Sequence, residues 1–143
     1  MKGHTTWILI ADGARARVYQ NLGPGLGLTE TSFPEMVGMH EPTREINADR
    51  EGRNGPGAMS HSADPHREQK KSFARDVAAF LETQARAHVF DRLVLVAPAK
   101  ALGDLRNELN GAASERIIGE LSKDLTHVHI RDLPKHLEKL VLL

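Results

Sequence analysis

The first residue whose position suggests chemistry is Asp12, which directly follows the apolar segment Trp7-Ile8-Leu9-Ile10-Ala11. Nucleases that use two divalent ions hold them with carboxylates at strand ends, because oxygen ligands suit these hard cations. A partner acid is expected where a second apolar strand ends, but that strand ends in Val96-Ala97-Pro98. Asp12 is therefore better explained as a turn residue. A metal-dependent nuclease or hydrolase that combines Asp12 with Asp49 or Glu51 is the least favoured hypothesis.

The histidines and the serines offer no complete catalytic or metal-binding pattern. No His-Glu-x-x-His or comparable spacing occurs, although His127 and His129 share one face of an extended segment. The absence of cysteine excludes thiolate metal sites and a thiol nucleophile. Ser60-His61-Ser62 lacks the flanking glycines of a nucleophile elbow. We therefore expect no metal, no cofactor and no catalytic residue. The eight histidines are His4, His40, His61, His66, His88, His127, His129 and His136.

Basic residues form the pattern most typical of a binding site. Two of them lie on the predicted wet face of the second strand, and the others lie in a long loop and the helix after it. Together they predict a local patch for phosphate groups or an acidic partner. The alternative is a solvated face, since Glu51, Glu68 and Asp76 are interspersed. The basic residues of this patch are Arg15, Arg17, Arg50, Arg53, Arg67, Lys70, Lys71 and Arg75.

The elements that must position these side chains follow from hydrophobic periodicity. The sequence predicts an antiparallel meander of three strands, with Asp12-Gly13 as a two-residue hairpin turn at positive φ, followed by alternating helices and strands. The resulting order, β-β-β-α-β-α-β-α, predicts an α/β domain over residues 1–143 with a mixed five-stranded sheet, as in the ribonuclease-H-like arrangement. The predicted strands are residues 7–11, 14–20, 28–33, 93–97 and 115–121; the helices are residues 65–88, one containing Leu102, Leu105 and Leu109, and one opened by Asp132-Leu133-Pro134 that carries Leu137, Leu140 and Val141.

Two glycine-rich segments separate these elements. Gly23-Pro24-Gly25-Leu26-Gly27 lies between predicted strands and opens no helix, so it is interpreted as a turn and not as a phosphate-binding loop. Residues 34–64 show neither the hydrophobic periodicity of a helix nor that of a strand, and they therefore predict a long loop. Loops of this length in compact domains are usually functional or disordered. Its glycine- and proline-rich part from Glu51 to Ser62 is expected to be mobile.

Composition limits the class of protein. The 143 residues are 40% hydrophobic and 27% charged, with 19 basic residues balancing 19 acidic ones, which is typical of one globular domain. A zero net charge excludes a whole-surface nucleic-acid footprint, so any such binding must be local. No apolar run reaches the length of a membrane span, and the first residues lack a signal-peptide layout. We therefore expect a cytoplasmic protein with no membrane contact.

Several short strings in a fixed order are typical of one bacterial family. They are Trp7-Ile8, Ala11-Asp12-Gly13-Ala14-Arg15-Ala16-Arg17-Val18, Asp49-Arg50-Glu51-Gly52-Arg53, Phe73-Ala74, Leu93-Val94-Leu95-Val96-Ala97-Pro98, Leu102-Gly103-Asp104-Leu105-Arg106 and Lys123-Asp124-Leu125-Thr126. Together these strings resemble the host attachment protein family, named as required for attachment to host cells. This family is in turn similar to the middle domain of archaeal and eukaryotic peptide-chain release factors, and the resemblance covers nearly the whole chain.

The resemblance implies a release-factor-like fold that acts through binding. The loop that carries Gly-Gly-Gln in release factors here reads Gly52-Arg53-Asn54-Gly55-Pro56-Gly57, so the glutamine that positions water for peptide release is missing. We expect a non-enzymatic, intracellular binding protein whose partner is an unidentified protein, or alternatively a ribosome- or RNA-associated module. The candidate binding residues are Asp12, Arg15, Arg17, Arg50, Arg53, Lys70, Lys71, Lys123, Asp124 and Thr126.

The run Leu140-Val141-Leu142-Leu143 predicts self-association. One helix face cannot cover all four apolar side chains, and an open mixed sheet also has edge strands that can pair with another chain. A two-fold dimer covers both features, and we therefore expect a homodimer.

Overall fold

The computed structural model of the protein describes residues 4–38 and 65–143. Arg50 and Arg53, the predicted mobile segment and most of the predicted long loop lie outside these described residues. The described elements are β1 (Thr6–Ala11), β2 (Arg15–Asn21), β3 (Thr29–Glu30), β4 (Met36–Val37), α1 (Pro65–Arg86), β5 (Arg92–Ala97), α2 (Ala99–Glu108), α3 (Ala112–Glu115), β6 (Ile117–Ser122), a 3-10 helix (Ile130–Asp132) and α4 (Pro134–Leu137).

The strands form one mixed sheet in the spatial order β3-β2-β1-β5-β6, with β4 also paired to β2. β1 runs antiparallel to β2 and parallel to β5, and β5 runs parallel to β6. The α/β class and the mixed sheet are therefore confirmed. The chain leaves β1 toward one edge of the sheet and leaves β5 toward the other, so the direction of the connections reverses between these two neighbours.

The predicted strand count of five is wrong, because the sheet has six strands. β3 pairs only with Tyr19 and Gln20, at the far end of β2. The first residues of β2 are thus left without a partner from β3. Met36 and Val37 pair with these residues as β4, inside the segment predicted to be a loop. A strand of two residues is too short to show an alternating pattern, so periodicity could not reveal it.

The long helix α1 begins at Pro65 as predicted and ends at Arg86, two residues before the predicted end. It stops there because His88 adopts a left-handed conformation with φ of 58°. The helix α3 was not predicted; it occupies residues just before β6, which therefore begins at Ile117. Within the described ranges, no helix is long and apolar enough to cross a membrane.

The predicted last helix is wrong in extent, since α4 has only four residues, Pro134–Leu137. Leu137 is fully buried, and its carbonyl oxygen accepts from the N–H groups of both Leu140 and Val141, which closes the helix. Leu140 and Val141 then pack against the sheet without continuing the helix. Burial of these side chains against the strands outweighs the helical spacing of the leucines.

The core lies on both faces of the sheet. Trp7 and Leu9 of β1 pack with the buried faces of α1 and α2, whereas Ile8 and Ile10 of the same strand pack with residues of the C-terminal segment. β1 is accordingly buried along its whole length, as its continuous apolar run predicted. Gly23, Gly25 and Gly27 have positive φ angles, which confirms that their segment is a turn.

Candidate anion-binding site

A cavity of about 570 Å³ lies at the carboxyl ends of the parallel neighbours β1 and β5. Three segments line it: the turn between β1 and β2, the start of α1 and the start of α2. In open α/β sheets, ligands bind beyond the carboxyl ends of the strands where the connections reverse direction, and this cavity occupies that position. The polar residues that line it are Asp12, His66, Arg67, Lys70, Lys100 and Asp104.

Asp12 shapes the β1–β2 turn. Its Oδ1 accepts hydrogen bonds from the N–H groups of Ala14 and Arg15, both at 2.8 Å, and its own N–H donates to the Arg15 carbonyl at 2.9 Å. The predicted two-residue turn with positive φ is wrong, since Gly13 is not among the described glycines with positive φ. Instead, the Asp12 carboxylate caps the turn, and the three residues that join the two strands have negative φ angles.

Gly13 has a different role from the one its dipeptide suggested. A Cβ atom added at Gly13 would lie 2.9 Å from both Cγ and Cδ of Lys70, closer than carbon atoms approach one another. The missing side chain therefore lets the stem of Lys70 cross the turn. Lys70 thereby lies beside the turn on the wall of the cavity.

Two features of the cavity favour an anion, although Asp12 and Asp104 also line it. Lys70 and Lys100 are exposed on its wall, and neither forms an ion pair with any residue in the ranges 4–38 and 65–143. The ten-residue helix α2 also begins here, after Pro98, and no side chain of the described segments caps it. The first N–H groups of a helix lack acceptors within the helix and favour an anion.

Asp104 and Arg67 form the inner part of the site. Arg67 Nη2 donates to Asp104 Oδ1 at 2.5 Å and connects the first turn of α1 to α2. Asp104 is only 8% exposed. Its second oxygen, Oδ2, is buried and accepts no hydrogen bond from the described residues. The lining thus combines two exposed lysines with a buried carboxylate oxygen that the described residues leave without a hydrogen bond.

Of the predicted binding residues, the structure brings Asp12 and Lys70 together at this cavity. Lys71 is the next residue on α1 and is exposed, and Arg15 is exposed at the start of β2. Arg17 lies in a separate cavity of about 380 Å³. There it donates to the Tyr19 hydroxyl at 3.2 Å and pairs with Glu35 at 3.5 Å. The bond to Tyr19 and the Glu35 carboxylate both raise the pKa of Arg17.

The residues Lys123, Asp124 and Thr126 form a turn after β6. Asp124 Oδ1 accepts from the Thr126 N–H at 3.0 Å and from its hydroxyl at 2.6 Å. These two bonds lower the pKa of Asp124, and the nearby His127 adds to the effect. Lys123 Nζ lies 3.5 Å from His136 Nδ1. The hydrogen bonds are those of a side chain that caps its own turn.

Metal binding finds no support in the side-chain clusters of the described ranges. There, no group of three or more His, Asp or Glu residues could hold a metal ion. The acids Asp49 and Glu51, which a nuclease would combine with Asp12, lie outside those ranges.

Comparison with known proteins identifies the family. The family model described as "Protein required for attachment to host cells" matches residues 7–137. The chain belongs to this family. The resemblance on which the expectation rested is thereby confirmed over most of the sequence, while no curated protein matches the chain.

Two solved structures are similar to this chain at low identity. The crystal structure of an archaeal translation termination factor, aRF1, is 14% identical with a TM-score of 0.45, over 94% of this chain and 39% of the other. A structure described as an archaeal protein is 11% identical with a TM-score of 0.45, over 94% of this chain and 38% of the other. The chain thus spans well under half of either neighbour.

Sequence reasoning missed three polar residues that line the cavity: His66, Lys100 and Asp104. Asp104 was only part of a string typical of the family, and Arg67 was only one of several basic residues. The available signal was position, because Lys100 and Asp104 lie in the first two turns of a helix that follows a buried strand directly. Such a place faces the carboxyl edge of a sheet.

Proposed function

We propose that this protein acts by binding, without catalysis, and that it binds a phosphate-bearing ligand in the cavity between the starts of α1 and α2. The observation that carries the proposal is the placement of Lys70 and Lys100 beside the uncapped start of α2, at the carboxyl ends of β1 and β5. We also propose a ribonuclease-H-like fold, which the order and directions of the strands and the connections of the helices support. We further propose that the protein acts in the cytoplasm of a bacterium.

The chemistry of the cavity favours a phosphate over other anions. Lysine ammonium groups act as mobile point charges that suit the several oxygens of a phosphate. The free N–H groups at the start of α2 add donors with fixed positions, an arrangement that commonly binds phosphate. The volume of about 570 Å³ also lies within the ordinary range of about 300–1,000 Å³ for small-molecule sites.

Titration calorimetry with pyrophosphate tests this proposal on the full chain at low salt. We expect saturable binding with one site, and a loss of about fivefold or more in affinity for Lys70→Ala and for Lys100→Ala, since each removes about 1 kcal/mol of charge interaction. Lys71→Ala is the matched control, because it removes the same charge from the neighbouring residue, which does not line the cavity. Equal losses for Lys70→Ala and Lys71→Ala, or no saturable binding to the wild type, would refute the proposal.

An RNA or ribosome partner is the second candidate. Lys71 and Arg75 are exposed on α1 and add two basic side chains after Lys70, with Arg75 Nε 3.9 Å from Glu108 Oε2. A phosphodiester chain could follow this surface, and its binding would weaken with salt as counterions are released. Co-sedimentation with ribosomes at low and at moderate salt tests it. The candidate fails if the protein stays in the supernatant at both salt concentrations.

A further inference from the structure

We infer that the ligand of the cavity is a hydroxylated phosphate monoester, the class of polyol and sugar phosphates, and that a hydroxyl group next to its phosphate donates a hydrogen bond to Asp104 Oδ2. This inference rests on the proposed phosphate site and adds the hydroxyl group that the ligand carries beside its phosphate. Its basis is a buried polar atom of a cavity-lining residue, Asp104 Oδ2, which the described residues leave without a partner.

The state of Asp104 is unusual for a carboxylate. The side chain is about nine-tenths buried, and Oδ1 accepts from Arg67, but Oδ2 accepts nothing from the described residues. A buried acceptor without a donor costs about 1–3 kcal/mol, more when it is charged. The fold therefore keeps an unsatisfied oxygen on a residue that lines the cavity, and a ligand that supplies a donor to it removes this cost.

The surroundings decide which donor fits. A second phosphate oxygen would be repelled by the carboxylate, and a cationic amine would be repelled by Arg67, Lys70 and Lys100 on the same wall. A neutral hydroxyl group avoids both repulsions. The terminal torsion of an aspartate is soft, so a small rotation turns Oδ2 toward an incoming group. A hydroxyl on the carbon chain of a phosphate monoester meets these conditions, with the phosphate held by the lysines.

Two small ligands of nearly equal size separate this inference from the proposed function. Glycerol 3-phosphate carries two hydroxyl groups, whereas n-propyl phosphate has the same carbon chain and none. We expect the full chain to bind glycerol 3-phosphate about tenfold more tightly in calorimetry, as one hydrogen bond to a charged acceptor supplies. Equal affinities would overturn the inference and leave the phosphate site standing. No binding of either ligand would refute the phosphate site itself.

Variants assign the preference to one atom. The substitution Asp104→Asn keeps one side-chain oxygen for Arg67 and replaces Oδ2 with an amide nitrogen that cannot accept a hydrogen bond. It should therefore bring the ratio of the two affinities close to one without weakening n-propyl phosphate. Asp76→Asn removes the same charge from an exposed position on α1 that does not line the cavity and should retain the preference. If both variants abolish it equally, a general charge effect explains it and the inference fails. Should Asp104→Asn not fold, the comparison of ligands on the wild type still decides.

The source of the hydroxyl group is decided with two further ligands. Ribose 5-phosphate and adenosine 5′-monophosphate share the 2- and 3-hydroxyl groups of the ribose, and the nucleotide carries a base in place of the anomeric hydroxyl. Equal affinity for both assigns the site to free sugar phosphates, whereas tighter binding of the nucleotide assigns it to nucleotides. Binding of both no tighter than n-propyl phosphate would contradict the inference.

Discussion

Glu82, on α1, holds the beginning of α3 in place and allows a stability prediction to be worked out. Its Oε2 accepts from the Gly111 N–H and its Oε1 accepts from the Ala113 N–H, both at 3.1 Å. Within the described residues, Gly111 provides no side-chain cap for α3. A carboxylate from a distant helix thus satisfies the N–H groups that would otherwise lack acceptors. The side chain is nearly buried while it does so.

The expected cost of Glu82→Ala follows from these two bonds. A hydrogen bond to a charged group contributes about 1.5–3 kcal/mol. Water can replace the carboxylate at the half-buried Gly111, but the N–H of the fully buried Ala113 stays unpaired. We therefore expect a loss of about 3 kcal/mol in the free energy of unfolding. For a domain of this size, this corresponds to a melting temperature lower by about 10 °C.

Urea denaturation followed by tryptophan fluorescence measures this loss. Trp7 is the single tryptophan, and it is buried with its ring 4.8 Å from that of Phe90, so unfolding changes its environment. Arg86→Ala is the control, because its exposed guanidinium lies 3.9 Å from Glu82 Oε1 and contributes at most about 0.5 kcal/mol. A loss below about 1 kcal/mol for Glu82→Ala, or one matched by Arg86→Ala, would refute the capping role.

Three further predictions concern the ends of elements and the surface. His88→Gly should raise the free energy of unfolding by about 0.5–1 kcal/mol, because His88 occupies the left-handed position after α1; urea midpoints check it, and His88→Ala should show no gain. Because the pKa of Asp124 is lowered in the folded protein, its carboxylate stabilises the fold fully at a pH above the ordinary pKa of aspartate, and this stabilisation is lost as the pH falls through the lowered pKa. Asp124→Asn should therefore be less stable than the wild type at pH 7 in thermal melts, and the difference in stability should close below about pH 4. A homodimer is expected by light scattering, and Leu142→Ser, at a residue 72% exposed, should weaken it, whereas a wild-type mass of 15.8 kDa would contradict the dimer.

The amino-acid sequence determined those parts of the fold whose signals are local. β1 and β5 are continuous apolar runs, and both are strands buried on both faces. The helix α1 carries its apolar residues at helical spacing and begins at a proline, so its register and start were predictable. The short strand β4 carries no such signal, because two residues form a strand only where an edge of β2 is open to them.

The site was predictable only in part, for the same reason. Asp12 could be recognised because it ends an apolar strand, and Lys70 because it belongs to a basic cluster. Their meeting with Arg67, Lys100 and Asp104 depends on the parallel pairing of β1 with β5, which brings together the carboxyl ends of strands far apart in the chain. No local pattern encodes that pairing. The unsatisfied oxygen of Asp104 is likewise a property of packing, since only the position of α2 against α1 buries it and leaves it without a donor from the described residues.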